Sequence, residues 1–316
     1  MTNSLWKGVP ALGEELGRLE ELLRREFGGA GFLRAASSQL VLGGGKRLRP
    51  ALVIASAHVG AYDRERTLPV AAALEALHTA SLVHDDVIDG ADTRRGMPTL
   101  HRSHGNHVAI YAGDFLLAKA MLLVSRSGLP GGELKRLACA MEAMCSGEVA
   151  QYQGRNRIPG YREYLKRIMG KTGVLFAGAC AAGGRCAGLN DSTVTLLWRF
   201  GLRLGAAFQI RDDLIDIRDG ESGKPTGRDL MDGIVTLPIL LAAADGGYRL
   251  ALSRFLQNGR NPAEAAELVA MAHSLGAPGQ AERMLAAEID RSLTMLDALP
   301  DGPGRLMLRE IASSLL

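Results

Sequence analysis

Asp85-Asp86-Val87-Ile88-Asp89 closes one apolar stretch with helical spacing, and Asp212-Asp213-Leu214-Ile215-Asp216 closes another. Both read Asp-Asp-x-x-Asp. On a helix, positions i and i+4 share a face and i+1 lies about 100° round from i. Asp85 and Asp89 therefore point the same way with Asp86 on the shoulder, and the second triplet repeats the arrangement. Carboxylates that close repel one another. A solvated helix end could carry them, but a mostly apolar segment gains nothing from them. A hard divalent cation removes the repulsion, and Mg²⁺ takes one or two carboxylates together with waters and phosphate oxygens. Two such triplets in one chain are a strong motif signal.

Around these motifs the sequence reads as helix after helix. Leu12, Leu16, Leu19 and Leu23 fall at i, i+4, i+7 and i+11, an amphipathic pattern. Helix is expected again to about residue 42, over 51–60, and from about 68 to 89. Further helices are expected near 107–126, 132–154, 161–182, 192–218, 229–244, 263–275 and 278–298. Gly128-Leu129-Pro130, Pro159-Gly160 and Gly183-Gly184 mark breaks, and residues 90–98 and 220–227 read as loops. With no long strand alternation and no linker, the chain reads as one all-α domain over residues 1–316. The two aspartate helices can face each other across a bundle core, which is how helical bundles build metal sites.

Composition narrows the field. Hydrophobic residues make up 47%, enough for a large core, and the net charge of +3 lacks the basic excess of a dedicated nucleic-acid binder. The four cysteines, Cys139, Cys145, Cys180 and Cys186, form no Cys-x-x-Cys pair or zinc pattern, and read as small buried apolar residues in a reducing compartment. The N-terminus lacks the apolar core of a signal peptide, and no uninterrupted apolar run is long enough to span a membrane. A cytoplasmic location is expected, with membrane-surface contact left open.

The cations have their own pattern. Gly43-Gly44-Gly45 precedes Lys46, Arg47 and Arg49. Glycines let backbone approach an anion, and these side chains can neutralise phosphate oxygens. Taken alone, a solvated basic loop is the commoner explanation. Arg94 and Arg95 follow the first acidic motif closely, where they suit either a polyanion or a local salt bridge. His78, Lys171, Thr172 and Gln209 are polar residues within apolar helical stretches. Each alone is more often a satisfied buried group than a ligand. Lys224 lies in a polar loop after the second motif, where an ordinary exposed lysine is the simpler reading.

Together these residues form a recognisable set. The chain resembles the trans-isoprenyl diphosphate synthases in Gly44-Gly45-Lys46-Arg47-Leu48-Arg49-Pro50, in residues 75–96 (EALHTASLVHDDVIDGADTRRG), and in Gly113-Asp114. The match continues through Lys171-Thr172, residues 208–216 (FQIRDDLID), Gly223-Lys224-Pro225 and Val235-Thr236-Leu237-Pro238. It is most similar to catalytic subunits of two-component heptaprenyl and hexaprenyl diphosphate synthases.

The resemblance implies a reaction. An allylic diphosphate loses diphosphate, the double bond of isopentenyl diphosphate attacks the allylic cation, and loss of a proton to the departing diphosphate leaves a trans product one unit longer. It implies Mg²⁺ bound by Asp85, Asp89 and Asp212, with Asp86, Asp213 and Asp216 supporting directly or through water. Lys46, Arg49, His78 and Arg95 match the isopentenyl diphosphate site, with Arg47 grouped among the substrate-binding cations. Arg94, Lys171 and Lys224 match the allylic diphosphate site, and Thr172 and Gln209 match polar groups near the nascent cation. Ile234 stands where family members often carry a diphosphate-binding lysine.

A homodimer, or a heterodimer with a small accessory subunit, is implied as well. Small Ala80 and Ser81, one turn before Asp85, suggest an open tunnel along that helix and a product for a quinone side chain, in the heptaprenyl range. The alternatives are a short-chain synthase, a terpene cyclase, a metal phosphohydrolase using His84-Asp85, and a non-catalytic partner subunit. The second Asp-Asp-x-x-Asp argues against the last three.

Overall fold

The leucine periodicity becomes α1 (Pro10–Phe27), with Leu12, Leu16, Leu19 and Leu23 buried. Pro10 opens it, at a position where the missing N–H costs nothing. The computed structural model describes residues 8–129, 132–218 and 227–316. After α1 come α2 (Phe32–Leu42), α3 (Leu48–Ala57), α4 (Arg64–Ile88), α5 (Leu100–His104), α6 (Asn106–Arg126), α7 (Gly132–Gln153) and α8 (Tyr161–Ile168). A π-helical turn (Met169–Gly173) joins α8 to α9 (Val174–Cys186), and α10 (Asp191–Asp216) follows. The chain continues through α11 (Arg228–Met231), α12 (Leu237–Ala242), α13 (Gly246–Gln257), α14 (Pro262–Ser274), α15 (Ala277–Met295) and α16 (Pro303–Ser313). Among the described residues the only strands are β1 (Thr93–Arg94) and β2 (Met97–Pro98), which pair antiparallel within the expected loop. The fold is all-α.

Contacts gather in two compact units: Met1–Ala138 with Gly178–Trp198 and Leu299–Ile311, and Cys139–Ala177 with Arg199–Ala298 and Ala312–Leu316. In the first unit α4 is the central helix. Asp63 caps it by accepting from the Glu65 and Arg66 N–H groups, and α1, α2, α3, α5 and α6 all pack on it. In the second unit Ile217, Leu230, Val235, Ile239, Tyr248, Leu252, Phe255 and Val269 form a continuous apolar core. Here α14 and α15 pack on α12.

Several expectations are corrected. Gly183-Gly184 does not end a helix but lies inside α9. A Cβ on Gly183 would collide with the Val53 carbonyl oxygen of α3, so the pair allows close helix packing. Helix over 229–244 is interrupted between α11 and α12, where Gly233 adopts φ +77 and Val235 O is taken by Arg167. Helices α13 and α16 were not anticipated. Cys180 and Cys186 are buried, and burial pushes each thiol up to about 12, but Cys139 and Cys145 are exposed.

Candidate active site

Both acidic motifs occupy the last turn of a long helix, α4 and α10. That end carries the negative pole of the helix dipole, where carboxylates are disfavoured by about 0.3–1 kcal/mol each. Their placement favours a cation. In α4, Asp85 is half-buried, Asp89 is exposed at the C-cap, and Asp86 is buried. Asp86 was expected among the metal carboxylates, but both its oxygens accept from Arg94: Nε at 2.8 and 2.9 Å, and Nη2 at 2.7 Å. It holds the arginine turn instead.

A cleft of about 860 Å³ opens beside this helix end, lined by Gly43, Gly44, Arg47, Glu75, His78, Asp86, Arg94 and Arg95 among others. Arg95, at φ +52, donates to the Gly44 carbonyl. A Cβ on Gly45 would meet its guanidinium at 3.0 Å, so the glycines seat the arginine. Lys46 is exposed on the loop and Arg49 half-buried in the first turn of α3. His78 is held well below the usual histidine range, first by burial, then by Arg49, Arg95, Arg94 and Arg47. Arg94 is balanced by Asp86 and Arg47 by Glu75 and Glu20, so the positive character beside the neutral imidazole comes chiefly from Arg49 and Arg95.

Arg47 does not serve as a ligand there. It is 6% exposed and spends its donors on Glu75 at 2.5 Å, Glu20 at 2.7 Å and Val41 O at 2.7 Å. Its expected substrate contact is corrected to a structural one. His84 is likewise committed. Nε2–H donates to Ile110 O at 3.3 Å, over Gly113, where any Cβ would strike the ring. That explains the glycine of Gly113-Asp114, and the ring lies 3.5 Å from Asp114 Oδ1.

In the second unit a cavity of about 470 Å³ is lined by Lys171, Gln209, Asp213, Asp229, Ile234 and Thr236 among others. Lys171 and Thr172 sit on the π-helical turn, a distortion common at functional sites. Glycines bring the neighbouring helices close: a Cβ on Gly205 would lie 2.7 Å from Gly173 Cα, and one on Gly147 3.0 Å from Lys171 N. Lys171 pairs with Glu148 at 3.0 Å, and Thr172 donates to Gln209 Oε1 at 2.8 Å. Asp212 is half-exposed. Asp213 is 3% exposed and bonded to Tyr164, Gln209 and the Leu237 N–H. Lys224 lies outside the described residues.

Asp229 escaped the sequence reading, since a lone aspartate carries no motif. Burial, then Asp216 and Asp213, push its carboxyl up to about 7, with Lys171 opposing. Asp216 is raised to about 6 by burial, with Asp213 adding, and its Oδ2 is buried without a hydrogen-bond partner among the described residues. An orphaned carboxylate oxygen among acids fits a cation. No three Asp, Glu, His or Cys side chains form a closed cage among the described residues. Mg²⁺ needs none, because it keeps waters and phosphate oxygens in its shell.

Residues 31–272 match the family model described as polyprenyl synthetase. The chain belongs to the polyprenyl synthetase family. This synthase is 38% identical over 311 residues to heptaprenyl diphosphate synthase component 2 of Geobacillus stearothermophilus, covering 95% of each chain. It is 37% identical over 298 residues to the nonaprenyl diphosphate synthase of Mycobacterium tuberculosis, covering 92% and 88%. A solved polyprenyl synthase from Caulobacter crescentus, complexed with calcium and isoprenyl diphosphate, superposes with a TM-score of 0.90 at 31% identity, covering 100% of this chain and 98% of that one. The protein is a prenyltransferase, and the synthase fold agrees with its all-α architecture.

Proposed function

We propose that this synthase condenses isopentenyl diphosphate with an allylic diphosphate to give an all-trans product of about C30–C40, heptaprenyl favoured, for a quinone side chain. Small Ala80 and Ser81, one turn before Asp85, support a product beyond twenty carbons, at roughly one isoprene unit per 5.4 Å helix turn. The observation that carries the reading is that each unit sets an acidic helix end beside cations: Asp86 of the first motif lines the cleft with His78, Arg94 and Arg95, and Asp213 of the second lines the cavity with Lys171 and Asp229. Bound Mg²⁺ would stabilise charge on the leaving diphosphate, held through Asp85 and Asp89 in the first unit and Asp212 and Asp216 in the second.

The chain's own residues do the rest. Lys46, Arg49, His78 and Arg95 bind isopentenyl diphosphate, with His78 acting as a neutral hydrogen-bonding group. Lys171, Lys224 and Arg94 bind the allylic diphosphate, and Ile234 leaves that task to them. Thr172 and Gln209 face the allylic cation. The allylic C–O bond breaks with its electron pair on diphosphate, the isopentenyl double bond forms the new C–C bond, and diphosphate takes the proton.

The whole chain, residues 1–316, acts as one synthase domain in the cytoplasm, and the family match spans both units. It works as a homodimer or with a small accessory subunit. The name "component 2" of its relative and the exposed Ile110, Tyr111, Met121 and Leu122 on α6 support a partner. Peripheral membrane contact serves release of the apolar product. The test is the purified chain with farnesyl diphosphate, isopentenyl diphosphate and Mg²⁺, with products sized by chromatography. Elongation that needs Mg²⁺ and yields chains beyond twenty carbons is expected. A cyclised hydrocarbon, or hydrolysis without elongation, would overturn the reading.

A further inference from the structure

One carboxylate of the second motif faces neither solvent nor its two acidic neighbours' task. Asp213 is 3% exposed, and three elements share its oxygens. Tyr164 Oη on α8 and the Leu237 N–H of α12 donate to Oδ2 at 2.8 and 2.9 Å. Gln209 Nε2, one turn back on α10, donates to Oδ1 at 3.1 Å. Tyr164 has no exposed surface. The Arg167 guanidinium lies 5.4 Å over its ring and is itself tied to Val235 O at 2.7 Å.

The direction of these bonds is forced. A carboxylate only accepts, so Gln209 must show Asp213 its NH₂ group. The Gln209 carbonyl oxygen then points to Thr172 Oγ1, 2.8 Å away, and it too only accepts. Thr172 must give its proton to Gln209. Thr172 Oγ1 and Gln209 Oε1 are thus left with acceptor lone pairs and no proton to present.

We propose that Tyr164 is a positioning residue: together with the Leu237 N–H it holds the Asp213 carboxylate where that carboxylate fixes the polarity of the Gln209–Thr172 chain, so that acceptor oxygens meet the developing allylic cation. This rests on the reading of the cavity as the allylic diphosphate site. Without the phenol, Oδ2 keeps one donor and the carboxylate can swing. Gln209 is then free to turn over, and Thr172 can present its O–H, whose positive end opposes a cation.

The experiment is a double-mutant cycle on the full chain with farnesyl diphosphate, isopentenyl diphosphate and Mg²⁺, comparing wild type, Tyr164→Phe, Thr172→Val and the double variant. Tyr164→Phe is expected to lower kcat about tenfold, the usual scale for a group that orients an active-site residue, with KM for both substrates little changed. In the Thr172→Val background it should cost nothing further, because the chain it orients has lost its end. Equal cost in both backgrounds, an unchanged kcat, or an effect confined to KM overturns the proposal.

A crystal structure of Tyr164→Phe gives a reading independent of turnover. Movement of Gln209 or Thr172 is expected, and an unaltered Thr172–Gln209–Asp213 chain overturns the proposal. If Tyr164→Phe does not fold, Leu237→Pro removes the other donor at a helix-start position that tolerates proline, and the same cycle is read with it. A wild-type chain that makes no elongated product would count against the site's function, and the crystal structures would still decide the positioning role.

Discussion

Arg94 folds back onto Asp86, with Nη2 2.7 Å from Oδ1 and Nε within 2.9 Å of both oxygens. The second carboxylate of the first motif is therefore neutralised by the protein. Removing the arginine would leave a buried charge unpaired. Because Arg94 is partly exposed and water can enter, Arg94→Ala should cost about 1–2 kcal/mol, less than a fully buried pair. Asp86→Asn should be milder, since the amide still accepts from Arg94. Urea unfolding midpoints would show the order, and a larger loss for Asp86→Asn would contradict it.

Asp85→Ala and Asp212→Ala should each lower turnover on the order of a hundredfold or more, the usual scale for lost charge stabilisation in the transition state. Metal-free stability should hold or rise, since each substitution removes a carboxylate from the negative end of a helix. Steady-state kinetics and thermal melts in chelator test both halves. Near-wild-type turnover in both variants would remove the metal assignment.

His78 gives a pH signature. Its folded pKa lies well below the ordinary value near 6.5, through burial and surrounding guanidiniums. Above pH 6.5 both folded and unfolded forms are neutral and the residue contributes no slope. As pH falls below 6.5 the unfolded chain takes a proton that the folded chain refuses. Stability should then drop by up to about 1.4 kcal/mol per pH unit from this group. Comparing unfolding at pH 7.5 and 5.5 in wild type and His78→Gln isolates the effect, and equal losses in both would refute it.

Ser81 and Ala80 part company in the fold. Ala80 has no exposed surface, whereas Ser81 is half-buried and donates from Oγ to His78 O at 2.8 Å. Ala80→Phe should overpack α4 and cost about 1–3 kcal/mol. Ser81→Phe should leave stability nearly intact and shorten the product, with the first condensation still fast. Product chromatography decides, and an unchanged length for Ser81→Phe would place the growing chain elsewhere.

Some of the site was legible in the sequence because its chemistry is written in spacing. Asp-Asp-x-x-Asp on a helix places carboxylates on one face whatever surrounds it, and a repeated copy singles them out. Gly43-Gly44-Gly45 marked a place where backbone can approach an anion closely, and there the chain takes positive φ at Gly44 and Gly45. Tyr164 and Asp229 were not legible. Tyr164 sits where an amphipathic helix would carry any core residue, and Asp229 belongs to no pattern. Arg47 misled for the opposite reason: a cation in a basic cluster looks like a ligand until Glu20 and Glu75 close on it.

Local rules thus determined the helices, the acidic triplets and the supply of cations, because helix periodicity and charge repulsion act over a few residues. Only tertiary structure decided which charges are spent and which face the reaction. Asp86 and Asp213 share a motif with the other aspartates, yet Arg94 claims the first, and Tyr164, Gln209 and Leu237 claim the second. Those partners arrive from 8 to 49 positions away in the chain, except Gln209, which is one turn distant. A hydrogen bond depends on where two atoms come to rest, and the order of residues alone does not contain that.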